Sequence, residues 1–146
     1  MIRLDGDAPK INPLARLGER GGVQLVLVSV EAWPDEVVVR MRGLPNGVTT
    51  QLDADFGNAL EAWHRAGAEG TPPQQPAEWV FPLDVELTDD VGTAYARRSS
   101  ARGGSGTMFR ADYIFTPGPP EAAASLKVRV GGADGVETRV KLAGSA

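Results

Sequence analysis

Four acidic residues lie close together in the segment LDVELTDDVGTAY, residues 83 to 95. They are Asp84, Glu86, Asp89 and Asp90. Carboxylates gathered at one end of a fold can hold calcium, and a pair of them can catalyse hydrolysis. The spacing does not match an EF-hand loop, which needs acids at alternate positions, a glycine at the sixth and a glutamate at the twelfth. We favour a third interpretation, a turn in which the two adjacent aspartates bond their own backbone and Gly92 closes a bulged hairpin.

Four arginines and no acidic residue lie in ARRSSARGGSGTMFR, residues 96 to 110. They are Arg97, Arg98, Arg102 and Arg110. Guanidinium groups bind phosphate and carboxylate through paired N–H donors. Residues 99 to 106 are small and predict a flexible loop, so one interpretation is an anion-binding loop. The other is a long hairpin loop with solvated arginines. The segment is neither a P-loop nor a dinucleotide fingerprint, because no helix follows it.

Few other side chains suit catalysis. His64 is the only histidine and cysteine is absent, which excludes multi-histidine and thiolate metal sites and thiol nucleophiles. We expect His64 to be an exposed or half-covered helix residue. Trp33, Trp79 and Tyr95 could form a platform for a sugar, but packing in the core is the favoured interpretation.

Composition points to one domain that needs no disulfide. The chain has 146 residues and a net charge of −4 with both signs interspersed, so nucleic acid and anionic lipid are not expected partners. Neither a signal peptide nor an apolar run of about 18 residues is present, which predicts a cytoplasmic protein unless the chain is part of a longer precursor. The arginine, alanine and glycine bias is typical of GC-rich, actinobacterial genomes.

Alternating apolar residues predict most of the elements. Residues 23 to 33 and 36 to 44 form two strands joined at Pro34 and Asp35, while residues 1 to 21 are a polar lead-in, with a short strand near residues 15 to 17. Further strands are predicted over residues 79 to 88, 92 to 100 and 107 to 115. The segments SLKVRV and VETRVKL, separated by GGADG, predict a last hairpin.

One segment follows the helical period instead. Leu52, Phe56, Leu60 and Trp63 are spaced by four, four and three residues. They predict an amphipathic helix at about residues 50 to 66, capped by Thr50 and ended by Gly67. Residues 68 to 77 are predicted to be a loop. The elements together predict an immunoglobulin-like antiparallel β-sandwich of about seven strands with one inserted helix, formed as one domain by residues 1 to 146.

The run LTDDVGTAY, the glycine-rich segment after it, MFRADYIFTPGPP and LKVRV resemble bacterial immunoglobulin-like and telokin-like domains of unknown function. The similarity covers residues 80 to 130. It implies a β-sandwich and no activity, and many such domains are exported.

We therefore expect a non-catalytic interaction or structural module without a cofactor. A protein is the expected partner, and an anionic ligand at the Gly/Ser/Arg segment is the alternative. A carbohydrate-binding or hydrolytic domain, and a calcium-stabilised adhesion-type domain, are the other functions left open.

Overall fold

Two antiparallel sheets form most of the protein in a computed structural model that describes residues 10–104, 109–131 and 135–142. The strands are β1 (Lys10–Ile11), β2 (Ala15–Arg20), β3 (Val23–Ala32), β4 (Val37–Gly43), β5 (Val85–Asp89), β6 (Ala96–Gly103), β7 (Arg110–Thr116), β8 (Ser125–Val130) and β9 (Val136–Lys141). The helices are α1 (Gly47–Arg65) and α2 (Pro76–Val80). The larger sheet has the order β1-β3-β4-β7-β6 with β2 also paired to β3, and the smaller has the order β5-β8-β9. The predicted mainly β class is confirmed, but the described residues form nine strands and two helices where about seven strands and one helix were predicted.

The core lies between the sheets, because each strand turns alternate residues inward. Val37, Val39 and Met41 of β4 are at most 1% exposed, and Leu126 and Val128 of β8 are fully buried. Both sheets contribute to one continuous apolar cluster. Each sheet therefore has an inner face on this core and an outer face.

Several predicted elements are confirmed. Strands β3 and β4 form the expected hairpin around Pro34 and Asp35, and β8 pairs with β9. The short strand expected near residues 15 to 17 is present as part of β2. The expectation that the rest of residues 1 to 21 is a polar lead-in is wrong for residues 10, 11 and 18 to 20, because β1 and β2 both hydrogen-bond to β3. An edge strand needs apolar residues on one face only, and the half-buried Ile11 and buried Leu17 supply them.

The predicted hairpin around Asp89 and Asp90 is wrong. Strand β5 pairs with β8 in the smaller sheet, whereas β6 pairs with β7 in the larger one. The residues between them cross from one sheet to the other. The turn chemistry of the DDVG sequence is compatible with either connection, so local sequence does not determine the pairing.

Helix α1 begins earlier than predicted. Its cap is Asn46, whose side-chain oxygen accepts the Thr49 N–H at 2.9 Å, while the Thr49 hydroxyl accepts the Asn46 N–H at 2.9 Å. This reciprocal pair makes Asn46, not Thr50, the start of the helix. The predicted end is confirmed: Gly67 has a φ of 92° and its N–H donates to the His64 carbonyl.

Helix α1 has few contacts with the rest of the protein. Thr49 is its only buried residue among those described, and Leu52 packs partly against the core. The 19-residue helix is about 28 Å long. Within the described residues, neither helix is long and apolar enough to cross a membrane.

The segment of residues 76 to 84 is helix α2 followed by irregular backbone, not the first part of the strand predicted over residues 79 to 88. Ala77, Val80, Phe81 and Pro82 are buried in it. It lies over the inner side of β6 and so occupies the layer of the smaller sheet.

Side chains from the larger sheet donate hydrogen bonds to five carbonyls of this segment. In a regular sheet, a neighbouring strand would provide these donors. Arg20 donates to Val80 at 2.9 Å, and the Tyr113 hydroxyl donates to Pro82 at 2.5 Å. Arg102 donates to Glu78 and also to Phe81, at 3.3 Å to the latter, and Arg97 donates to Leu83. Buried carbonyls without a partner are costly, so these bonds allow irregular backbone to lie against the core.

We expect Arg102→Met to lower the free energy of unfolding by about 2 kcal/mol, since two carbonyls beside the core lose their donor. Urea denaturation measures this. The matched control is Arg98→Met on the same exposed strand, expected to change stability by less than about 0.5 kcal/mol. Equal effects would contradict the structural role of Arg102.

Two glycine-to-alanine changes should have opposite signs. At Gly57, in the exposed part of α1, no atom lies within 4 Å of an added Cβ, so alanine should stabilise the protein by up to about 1 kcal/mol. At Gly118 an added Cβ would lie 2.3 Å from the Trp33 carbonyl oxygen. Gly118→Ala should therefore destabilise by about 3 kcal/mol. Thermal unfolding of the two variants tests the packing around each glycine.

Candidate functional site

The carboxylate of Asp89 organises the crossing from β5 to β6. One oxygen accepts the Val91 and Thr93 N–H groups, both at 3.0 Å, and the other accepts the Tyr95 hydroxyl at 2.8 Å. The bond to Val91, two residues on, is the backbone turn expected for this aspartate. Asp89 thus closes a turn, and the crossing segment carries Tyr95 to the edge of the core.

Asp90 bonds elsewhere. Its carboxylate accepts the N–H groups of Ala124 and Ser125, at 2.9 and 3.3 Å, and so joins the crossing to the start of β8. Asp84 and Glu86 are exposed. Over the described ranges, no three histidine, cysteine or acidic side chains come together in a way that could hold a metal ion. The structure therefore does not gather the four acids proposed for calcium.

Ionisation of Asp89 is coupled to this turn. Partial burial opposes the charged form, but hydrogen bonds from Thr93, Tyr95 and Val91 outweigh it and lower the pKa of Asp89 to about 2. Burial, together with the Asp89 charge, raises the pKa of the Tyr95 phenol. At neutral pH the carboxylate accepts and the phenol donates.

The four arginines proposed for anion binding do not form one site. Residues 96 to 103 are strand β6, so the predicted loop over residues 99 to 106 is wrong for residues 99 to 103; residues 105 to 108 lie outside the described residues. Arg97 and Arg102 donate to the backbone of residues 78 to 83. Arg98 and Arg110 are exposed.

The aromatic platform is not formed either. Trp33 follows the end of β3, while the ring of Trp79 lies on Gly21 beside the start of that strand. Ten residues of β3 separate the two ends, about 33 Å. Trp79 is 42% exposed, so the expectation that it packs in the core is wrong. His64 is exposed on α1, as expected.

A groove of about 430 Å³ lies on the outer face of the larger sheet. Val38, only 6% exposed, and the half-buried Ile114 contribute apolar surface to it. The residues that line it come from four segments: Glu31, Trp33, Glu36, Val38, Arg40, Ser99, Ser100, Ala101, Asp112 and Ile114. Sequence reasoning did not find this site, because its residues become neighbours only through the order β3-β4-β7-β6.

An ion-pair network crosses the middle of this face. The Arg40 Nε donates to Glu31 at 2.6 Å and its Nη1 lies 3.2 Å from Asp112. The hydrogen bond that Arg40 donates to Glu31 contributes most to raising the pKa of Arg40. The three charges lie on adjacent strands and fix one another in position. Charged residues at outward positions of β4 and β7 are the sequence feature that could have suggested the network.

A second groove, of about 270 Å³, continues the face toward the other end of the strands. Its lining includes Arg40, Arg42, Arg110 and Asp112. Arg42 and Arg110 are directly opposite each other on β4 and β7. The first groove has three acids and one arginine, and the second has three arginines and one acid. Arg40 and Asp112 line both grooves, so the two grooves form one continuous charged surface.

Comparison with known proteins gives little. No protein-family model matches the chain, and no curated protein matches it. A solved structure, that of a conserved domain protein from Bacillus anthracis, is similar with 16% identity and a TM-score of 0.42, over 92% of this chain and 48% of that one. This chain thus spans about half the length of that protein.

Acid should weaken the Asp89 turn. Because the pKa of Asp89 is about 2 in the folded protein and near 3.8 ordinarily, the carboxylate contributes stability above pH 4, and this contribution is lost as the pH falls through 2. We expect the loss to be about 1 kcal/mol after discounting for partial exposure. Asp89→Asn should remove most of the pH dependence of unfolding between pH 5 and 2.

The exposed Asp84→Asn is the matched control and should retain the wild-type dependence. Urea denaturation as a function of pH distinguishes the two variants. An Asp89→Asn profile parallel to that of the wild type would contradict the role of the turn.

Proposed function

We propose that the protein is a non-catalytic interaction module that binds another protein across the outer face of its larger sheet. The observation that carries this proposal is the groove of about 430 Å³ on that face. Protein interfaces combine an apolar centre with polar surroundings. The half-buried Ile114 supplies the first, and Glu31, Arg40 and Asp112 supply the second.

The network around Arg40 supports binding more than catalysis. Glu31 and Asp112 both lie against the same guanidinium, so neither is placed as a separate acid or base for a reacting group. Side chains that hold one another in position lose little freedom when a partner binds. The outer face is therefore preorganised for binding a partner.

The finer fold assignment, an immunoglobulin-like sandwich, is part of the proposal. Two antiparallel sheets with one core between them support it. So does the crossing from β5 to β6, since such sandwiches pass the chain repeatedly between sheets. A cytoplasmic location remains the accompanying prediction from the sequence.

Carbohydrate binding is the second candidate. Trp33 lines the groove beside Glu31, Ser99 and Asp112, which is the combination of ring and polar groups that a sugar needs. Trp33→Ala would abolish a response to oligosaccharides in a thermal-shift assay if this candidate were correct.

Photo-crosslinking tests the protein-binding proposal. A benzoylphenylalanine at Ala101, exposed and in the groove, should give a specific protein adduct in cells of the source organism. The same group at Thr88, exposed on the smaller sheet, is the control and should not. No adduct from Ala101, or equal adducts from both positions, would contradict the proposal.

A further inference from the structure

Asn46 and Gly47 form the only Asn-Gly pair in the chain. The backbone nitrogen of the residue after an asparagine can attack Cγ of the asparagine side chain. Glycine hinders this attack least, because it has no Cβ and its backbone is the most free to move. Both residues of the pair are exposed, so water and hydroxide reach them.

The backbone around this pair leaves the attacking nitrogen free. Asn46 is the N-cap of α1 with a φ of −156° and a ψ of −173°, so its backbone is extended and not helical. Gly47 is the first residue of the helix, where an N–H has no carbonyl of the same helix to bond. Within the part of the chain that the structure describes, this N–H donates to no acceptor. The space beside Gly47 is also open, because no atom lies within 4 Å of an added Cβ.

The cap holds and polarises the group that would be attacked. The Thr49 N–H donates to the side-chain oxygen of Asn46 at 2.9 Å. This bond draws electron density from Cγ and is in the right place for the negative charge that develops on the oxygen during attack. The Asn46 amide nitrogen donates to the Gly22 carbonyl at 3.0 Å. An accessible nucleophile and a polarised carbonyl are therefore neighbours along the chain.

We propose that Asn46 is a site of spontaneous deamidation, at which the chain modifies itself without an enzyme. Hydroxide removes the N–H proton of Gly47, and the nitrogen bonds to Cγ of Asn46. The side-chain nitrogen takes a proton from water and leaves as ammonia, so that a five-membered succinimide ring remains. Water opens this ring at one of its two carbonyls, which gives aspartate or isoaspartate. The proposal goes beyond the binding function and does not depend on it.

Either product weakens the attachment of α1. Aspartate caps a helix as well as asparagine does, but its carboxylate has no N–H for the Gly22 carbonyl and places two acceptors next to each other. Isoaspartate adds a carbon to the main chain and so disrupts the reciprocal bonds with Thr49. Asn46 joins the helix to the β2–β3 turn, and beyond Leu52 the helix has little contact with the core. Deamidation would therefore act as a slow, irreversible release of the helix.

The other two asparagines of the chain are internal controls. Asn12 precedes Pro13, whose nitrogen carries no hydrogen and cannot attack. Asn58 lies inside α1, where the N–H of Ala59 is bonded within the helix and the backbone is helical. Both should keep their amides while Asn46 loses its own.

Mass spectrometry of peptides from the folded protein, incubated in mildly alkaline buffer, tests the site. Asn46 should deamidate at least tenfold faster than Asn58, with isoaspartate among the products. Gly47→Ala should slow the reaction at least tenfold, and its added methyl group meets open space. Gly47→Pro should abolish the reaction because it removes the N–H, and proline suits the first position of a helix. Circular dichroism shows that both variants keep the helix.

Three results would overturn the site. The first is an Asn46 that reacts no faster than Asn58, and the second is a reaction that persists in Gly47→Pro. The third comes from the wild-type chain in guanidinium chloride, which gives the rate without structure. A folded-state rate more than a hundredfold below that rate would mean that the cap protects Asn46.

Limited chymotrypsin digestion tests the release of α1. Cleavage after the half-buried Phe56, in the middle of the helix, follows the population in which the helix is open. Asn46→Asp should be cleaved there about fivefold faster than the wild type, since one hydrogen bond of ordinary strength is lost. Asn58→Asp, the same chemical change at an exposed position of α1, is the matched control and should be cleaved at the wild-type rate. Equal rates for Asn46→Asp and the wild type would overturn the release.

Discussion

The donation of side-chain hydrogen bonds to the backbone of residues 78 to 83 is the interaction on which the two-layer structure depends. Opposite a larger sheet of six strands the smaller sheet has three, and the irregular segment fills part of the layer that remains. The carbonyls of this segment accept hydrogen bonds from side chains, whereas the carbonyls of a strand accept them from the backbone of a neighbouring strand. Arg97 and Arg102 reach it from β6, Arg20 from β2 and Tyr113 from β7. Burial raises the pKa of Tyr113 to about 12, so its phenol remains a donor at neutral pH.

This use of arginine changes how the charged strand β6 is understood. Arg97 and Arg102 of β6 donate to the backbone of residues 78 to 83 and are structural. The exposed cations of this segment are then Arg98 on β6 and Arg110 on β7. The face proposed for binding is on the opposite side of the same sheet, over β4 and β7. One sheet therefore uses guanidinium groups in two ways: on its inner side they satisfy backbone carbonyls, and on its outer side Arg40 joins two carboxylates.

Sequence alone predicted the elements whose burial follows a simple period. The alternation in β4, β7 and β8 and the helical spacing from Leu52 to Trp63 are local properties, and all four elements are present. The pairing of β5 with β8 was not predictable, since turn residues such as Asp89 serve a hairpin and a crossing equally well. Residues 79 to 83 alternate like a strand, but their conformation depends on donors distant in sequence, such as Arg102. The groove depends on strand order for the same reason, so its residues could not be assembled in advance.

Helix α1 makes far fewer tertiary contacts than the strands of the two sheets. It is anchored near Asn46, whose side chain also donates to the Gly22 carbonyl at 3.0 Å, and beyond Leu52 it has little contact with the core. Local opening free energy follows such contacts. In hydrogen exchange, amides in the second half of α1 would exchange through local opening and fastest among the regular elements. Those of β3 and β4 would exchange only when the whole protein unfolds. We therefore expect the region between Asn46 and Pro76 to open locally while the two sheets keep their structure.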